Sequence, residues 1–202
     1  MMTKEIVIDL EKLRLFLNVY YVVSDELFGL LCKSLSTVFV PKGEQTILEK
    51  HGKKKVYFVY EGVCAYYYNK KEKECVVDFV KDGEFAILSH CLFQHKSFEL
   101  YFKALNDSVL LVLSYDDFSS MWNTHYEFTH LFYNVIETYL ARIELYHYHS
   151  RYCTAKERIS YFLEEPDSSF LLSHIPRYYI ASYLGITPET FSSLLGQLSK
   201  GK

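Results

Sequence analysis

The apolar positions change period several times along the chain, and each change marks an element. Residues 4–36 carry helical spacing: Leu10, Leu13, Leu15, Phe16 and Leu17 cluster, and Ser24-Asp25-Glu26 opens a second segment bearing Leu27, Leu30 and Leu31. From Thr37 the period falls to two. Strands are predicted at Val38–Val40, Thr46–Leu48, Val56–Tyr60, Val63–Tyr68, Cys75–Val80, Tyr101–Leu105 and Val109–Ser114. Pro41-Lys42-Gly43-Glu44, Gly52, Glu61-Gly62, Lys81-Asp82-Gly83 and Asn106-Asp107 punctuate them as turns. Short strands at regular spacing predict a β-sandwich or jelly roll. Lys53-Lys54-Lys55 and the tip Asn69–Lys73 read as solvated hairpin ends and not as nucleic-acid patches.

Helical period returns after Ser114. Asp116-Asp117 starts a short helix and Thr124 is placed to cap a long one. Along that helix Phe128, Leu131, Phe132, Val135, Ile136, Tyr139, Ile143 and Tyr146 share a face, a seam of about three heptads. It has two readings, packing on its own sandwich or forming a dimer. A further helix runs from about Thr154 to Glu164 and stops at Glu165-Pro166-Asp167. In Ile175–Leu198 two short helical sets follow, Tyr179-Ile180-Ala181-Leu184 and Phe191-Leu194-Leu195-Leu198. Gly185 between them suits a left-handed turn, Thr187 an N-cap, Pro188 the first turn and Glu189 the positive end of the helix dipole. This is either a helix-turn-helix, with Pro188–Leu198 in the recognition position, or an ordinary helical hairpin.

Composition narrows the function. At 202 residues and half hydrophobic, the chain can bury one core and a small second domain. The net charge of −3 announces no global field for nucleic acid. No apolar run reaches transmembrane length, and no signal segment opens the chain. Cys32, Cys64, Cys75, Cys91 and Cys153 form no CxxC pair and read as reduced thiols of a cytoplasmic protein. His51, His90 and His95 give no HxH pair in the strand region, and His147-Tyr148-His149 lies on a helix, so no metal or cofactor is expected. No nucleophile elbow, P-loop or dinucleotide fingerprint occurs, so the chain is not read as an enzyme. A metal-dependent cupin-like enzyme, the rival from that class, lacks its ligand histidines.

Thr154–Arg158, Ile175-Pro176, Tyr179–Thr190 and the turns Lys42-Gly43-Glu44, Tyr60-Glu61-Gly62 and Asp82-Gly83-Glu84-Phe85 together resemble the CRP/FNR transcription regulators, closest to the compact Bacteroidetes-type members. Ala104-Leu105-Asn106-Asp107 resembles the strand after the family's ligand cassette. The resemblance implies an α+β chain: a jelly-roll (double-stranded β-helix) sensor domain at 1–122, a dimerisation helix at 123–150 and a helix-turn-helix domain at 151–202. It implies a homodimer with DNA, RNA polymerase and a small-molecule effector as partners and no membrane. Arg177, Thr187, Glu189, Thr190, Ser192, Ser193, Gln197 and Lys200 take the DNA-binding role. Phe128, Phe132, Val135, Tyr139, Ile143 and Tyr146 take the dimer role. Phe85, Ile87, Leu88, Phe98, Glu99 and Tyr101 line the effector pocket.

Two departures qualify that picture. Where cyclic-nucleotide-binding members hold the phosphate with Arg-Ser, this chain has Phe98 and Glu99. Where they hold the sugar with Gly-Glu, it has Ile87 and Leu88. An aromatic ring and a carboxylate give no charge-assisted bond to a phosphate, and no arginine lies between residues 80 and 140. The expected effector is therefore apolar or aromatic and is not cAMP or cGMP. The reading helix in turn has serine where the family has arginine, and acids equal bases across residues 156–202. Phosphate neutralisation dominates DNA affinity, so binding should be weak or partner-dependent. The alternative function is a degenerate regulator acting as a dimeric protein-interaction module.

Overall fold

A computed structural model describes residues 6–46, 49–50, 53–71, 73–86 and 100–200. Among the described residues, helices and antiparallel sheets mix as the periodicity predicts. Two helices, α1 (Leu10–Asn18) and α2 (Asp25–Ser34), open the chain. The Asp9 carboxylate caps α1 by accepting the Glu11 and Lys12 N–H groups at 2.9 and 3.2 Å, and Ser24 caps α2 through the Leu27 N–H.

Among the described residues nine strands follow: β1 Ser36–Val40, β2 Gln45–Thr46, β3 Glu49–Lys50, β4 Lys53–Glu61, β5 Val63–Lys70, β6 Lys73–Lys81, β7 Phe85–Ala86, β8 Tyr101–Ala104 and β9 Ser108–Ser114. One sheet has the order β1-β9-β4-β3 with β7 also on β4, and the other β2-β8-β5-β6. Strand alternation assigns the two faces of β4. Tyr57 reaches Phe102 of the second sheet, ring centroids 6.1 Å apart, so its parity faces between the sheets. Val56, Phe58 and Tyr60 face the other way and join Leu13, Leu27 and Phe132 in a core shared with helices.

Those helices are α1, α2, α3 (Tyr115–Thr124) and the first half of α4 (Tyr126–Tyr152). Ser114 caps α3. Thr124, expected to cap the long helix, is the last residue of α3, and its hydroxyl donates back to the Ser120 carbonyl at 2.7 Å. It therefore belongs to the preceding helix, and His125 is the residue that stands between the two.

The chain forms two compact units, residues 1–66 with 79–138, and residues 67–78 with 139–202. The second holds the rest of α4, then α5 (Ala155–Glu164), α6 (Ser168–His174), α7 (Arg177–Tyr183) and α8 (Pro188–Lys200). Thr154 and Glu157 start α5 with a reciprocal capping box. Ile159, Ile180, Ala181 and Phe191 are fully buried at the centre of this unit. The far halves of β5 and β6 also belong to it, a pairing that local pattern does not predict.

Candidate functional site

The helix-turn-helix is built by its turn. Gly185 has φ +65°, and the N–H groups of Gly185 and Ile186 donate to the carbonyls of Ser182 and Ala181, closing α7 in a Schellman motif. Thr187 then caps α8, accepting the Thr190 N–H at 3.2 Å, while the two threonine hydroxyls lie 3.1 Å apart. Phe191 of α8 and Ala181 of α7 are both fully buried. Leu194, Leu195 and Leu198 are half-buried on the inner side of α8.

This geometry sorts the expected DNA-binding residues. Glu189, Ser192, Ser193 and Gln197 are exposed on α8, and Arg177 is exposed at the start of α7. Thr187 and Thr190 are committed to the cap, which reduces their freedom to bond a base edge. The Lys200 side chain lies outside the described residues. Glu189 is held below the ordinary carboxylate range, first by its own backbone N–H, next by the Thr187 hydroxyl, and in addition by the nearby Lys73 ammonium. Lys73 belongs to β6, a strand that the sequence does not connect with DNA.

The connection is made at the edge of β6. Val76 donates its N–H to Ser182 Oγ at 2.9 Å, and Ser182 donates to the Glu74 carbonyl at 3.2 Å. The Tyr179 hydroxyl donates to the Glu74 carboxylate at 3.0 Å. Farther along the strand Asp78, buried, pairs with Arg142 of α4 at 2.9 Å. Burial is the main cause that pushes the Tyr183 hydroxyl above its usual range, and the Asp78 carboxylate adds to it. Tyr183 also lies against Tyr146, ring centroids 5.4 Å apart. One side of α7 is thus bonded to a free strand edge. The available sequence signal was the run Ser182-Tyr183 beside buried Ala181, polar hydroxyls on a helix otherwise accounted for by its apolar face.

Of the expected effector lining, Phe85 and Tyr101 are described, and strand parity turns both away from the space between the sheets. Phe85 pairs opposite Phe58 and faces the helices, with ring centroids 4.8 Å from Phe58 and 4.9 Å from Phe132. Tyr101 neighbours Phe102, which points between the sheets, so Tyr101 has the opposite parity and is half-buried. Ile87, Leu88, Phe98 and Glu99 lie outside the described residues. The rings between the sheets are Tyr57, Tyr66 and Phe102, all buried, with Tyr66 and Phe102 at 4.9 Å. Apolar residues at both parities of β4 concealed this from the sequence.

The expected dimer seam is corrected as well. Phe128, Phe132 and Val135 are buried in the core of their own unit at 0%, 0% and 4% exposure, so no partner can reach them. Tyr139, Ile143 and Tyr146 are half-buried in the second unit. The exposed large apolar residues of α4 are instead Tyr126, Tyr133 and Leu140 at 74%, 61% and 52%, with Leu145, Tyr148 and Tyr152 in its C-terminal half. Of these, Tyr126, Tyr133 and Leu140 line up along the helix. They recur at seven-residue intervals, and Thr129, Ile136 and Ile143 complete the three–four alternation of a heptad seam.

Among the described residues no group of three or more His, Cys, Asp or Glu is placed to hold a metal ion. Cys64 is buried, and burial pushes its thiol up to about 12, which makes it inert at neutral pH. No described helix is long and apolar enough to cross a membrane.

A jelly roll followed by a long helix and a helix-turn-helix defines a class of regulator fold, and comparisons agree with that class. Residues 37–125 match the cyclic nucleotide-binding domain family. FixK2 from Bradyrhizobium japonicum superposes with a TM-score of 0.71 at 21% identity, covering 83% of this chain and 85% of that one. A cyclic nucleotide-binding domain containing protein from Listeria monocytogenes gives 0.68 at 19% identity, covering 94% and 91%. The c-di-GMP responsive global regulator CLP from Xanthomonas campestris gives 0.67 at 16% identity, covering 88% and 93%. No curated protein matches the sequence significantly. The chain therefore has the CRP/FNR-type regulator fold that its motifs resemble.

Proposed function

We propose that this protein is a DNA-binding transcription regulator of the CRP/FNR type, acting in the cytoplasm as a homodimer with RNA polymerase as a partner. The observation that carries the reading is the capped helix-turn-helix, with the polar residues Glu189, Ser192, Ser193 and Gln197 exposed on the second helix. The dimer forms along Tyr126, Tyr133 and Leu140, which are exposed at seven-residue intervals, whereas Phe128, Phe132 and Val135 are buried in their own unit. The effector is not cAMP or cGMP, because Phe98 and Glu99 replace the phosphate-holding pair. An effector acts here by population shift: it must bind one placement of the reading helices better than the other.

The test is retention of random-sequence and genomic promoter duplexes by the purified full chain at low and moderate salt. Selective retention that weakens with salt is expected. No retention at low salt by a folded dimer would overturn the reading. It would favour the protein-interaction module, which the lack of arginine on the exposed face of α8 supports.

A further inference from the structure

The described exposed residues of α8, Glu189, Ser192, Ser193 and Gln197, bring no positive charge to DNA, yet phosphate neutralisation supplies most non-specific affinity. Exposed cations in the same compact unit come from the β5–β6 hairpin. Lys70, Lys71 and Lys73 are exposed there, and Lys71 turns the chain at φ +49°. Of the acids nearby in sequence, Glu72 separates Lys71 from Lys73, half-buried Glu74 accepts from the Tyr179 hydroxyl, and buried Asp78 pairs with Arg142. The hairpin does not hang free. Ser182, at the end of α7 next to the turn that starts α8, holds both the Val76 N–H and the Glu74 carbonyl. Lys73 directly precedes Glu74, which places Lys73 beside the end of α7, next to the turn that starts the reading helix.

We propose that the β5–β6 tip is a DNA-binding element, with Lys70, Lys71 and Lys73 contacting phosphates beside the groove that α8 enters. The inference rests on the regulator reading and supplies the charge that reading lacks. The reach of Lys73 is independently visible in its effect on the Glu189 carboxylate, after those of the Glu189 N–H and the Thr187 hydroxyl. The contact is indifferent to base sequence, so it sets affinity and salt dependence, while Glu189, Ser192, Ser193 and Gln197 are left to discriminate bases.

The experiment is a salt titration of the full chain with random-sequence duplex DNA. It compares wild type with the triple variant Lys70→Gln, Lys71→Gln, Lys73→Gln, with the matching triple arginine variant, and with a control, Lys33→Gln with Lys42→Gln, two exposed lysines of the other unit. The glutamine triple is expected to lose roughly tenfold or more in affinity at low salt, with the slope of log K against log salt shallower by about 2 to 3. The arginine triple should keep both quantities, and the control should change neither. If wild type binds and the glutamine triple binds with the same slope, the hairpin proposal is wrong and the regulator reading stands. If wild type itself shows no salt-sensitive retention, both fall together.

Discussion

Gly62 shows how closely single positions are specified. Its φ is +111°, and an added Cβ would lie 2.2 Å from Ser108 Oγ and 2.9 Å from Ser108 Cα. Its N–H is donated to Asp82 at 2.6 Å, a bond the turn would lose by swinging away. Gly62→Ala should therefore destabilise by roughly 3 kcal/mol or more, strain and overlap together. Gly185→Ala meets nothing nearer than Arg158 at 3.7 Å and suffers only the left-handed strain, about 1 kcal/mol. Urea melts of the two variants test the contrast, and equal losses would refute it. Thr154 belongs to the same scale. Its N–H and hydroxyl hold the Glu157 carboxylate below the ordinary range. A depressed carboxylate adds stability that is present above its unfolded value and is lost as pH falls through its folded value. Thr154→Val should lower Tm by roughly 2–4 °C at neutral pH, and the gap should shrink in acid. A gap independent of pH would show that the capping box is not the cause.

At the scale of the element, α4 explains both what the sequence made legible and what it hid. Its existence followed from period, because twenty-seven residues carry apolar side chains at helical spacing without a breaker. Its function did not, because the helix is apolar on two faces. The richer stripe through Phe128 and Phe132 went to the sheet of its own unit, where aromatic rings from β4 and β7 meet it. Periodicity reports that a face is buried and is silent on what buries it. The same limit operated on β4, where Val56 through Tyr60 is apolar at both parities and only the pairing reveals which rings lie between the sheets. Two kinds of substitution separate the faces of α4. Tyr133→Glu with Leu140→Glu should abolish the dimer in sedimentation equilibrium while leaving Tm nearly unchanged for the exposed side chains. Phe132→Ala should instead cost about 3–5 kcal/mol of folding stability. If the double glutamate variant stays dimeric, the seam lies elsewhere.

Across the whole molecule the chain passes between its two compact units three times, once along each strand of the β5–β6 hairpin and once along α4. The turn grammar around Gly185 and Thr187 was readable because every residue that builds it lies within a few positions of the others. The bond from Val76 to Ser182 spans 106 positions, and no local pattern encodes a partner at that distance. A charge balance taken along residues 156–202 misses the hairpin lysines for the same reason. The strand edge of β6 is itself the physical cause of the association: unpaired backbone groups need partners, and a helical serine hydroxyl that both accepts and donates satisfies two of them. Ser182→Ala removes both bonds and leaves the packing of α7 on α8 in place. Its expected signature is local, a roughly fivefold to tenfold faster amide exchange at Val76, with protection retained at Ile180 and Phe191 in the core of the unit. Unchanged exchange at Val76 would mean that the hairpin is held by its side chains alone. Coupled loss of protection across α7 and α8 would mean that the strand edge supports the fold of the DNA-reading unit as well as its charge.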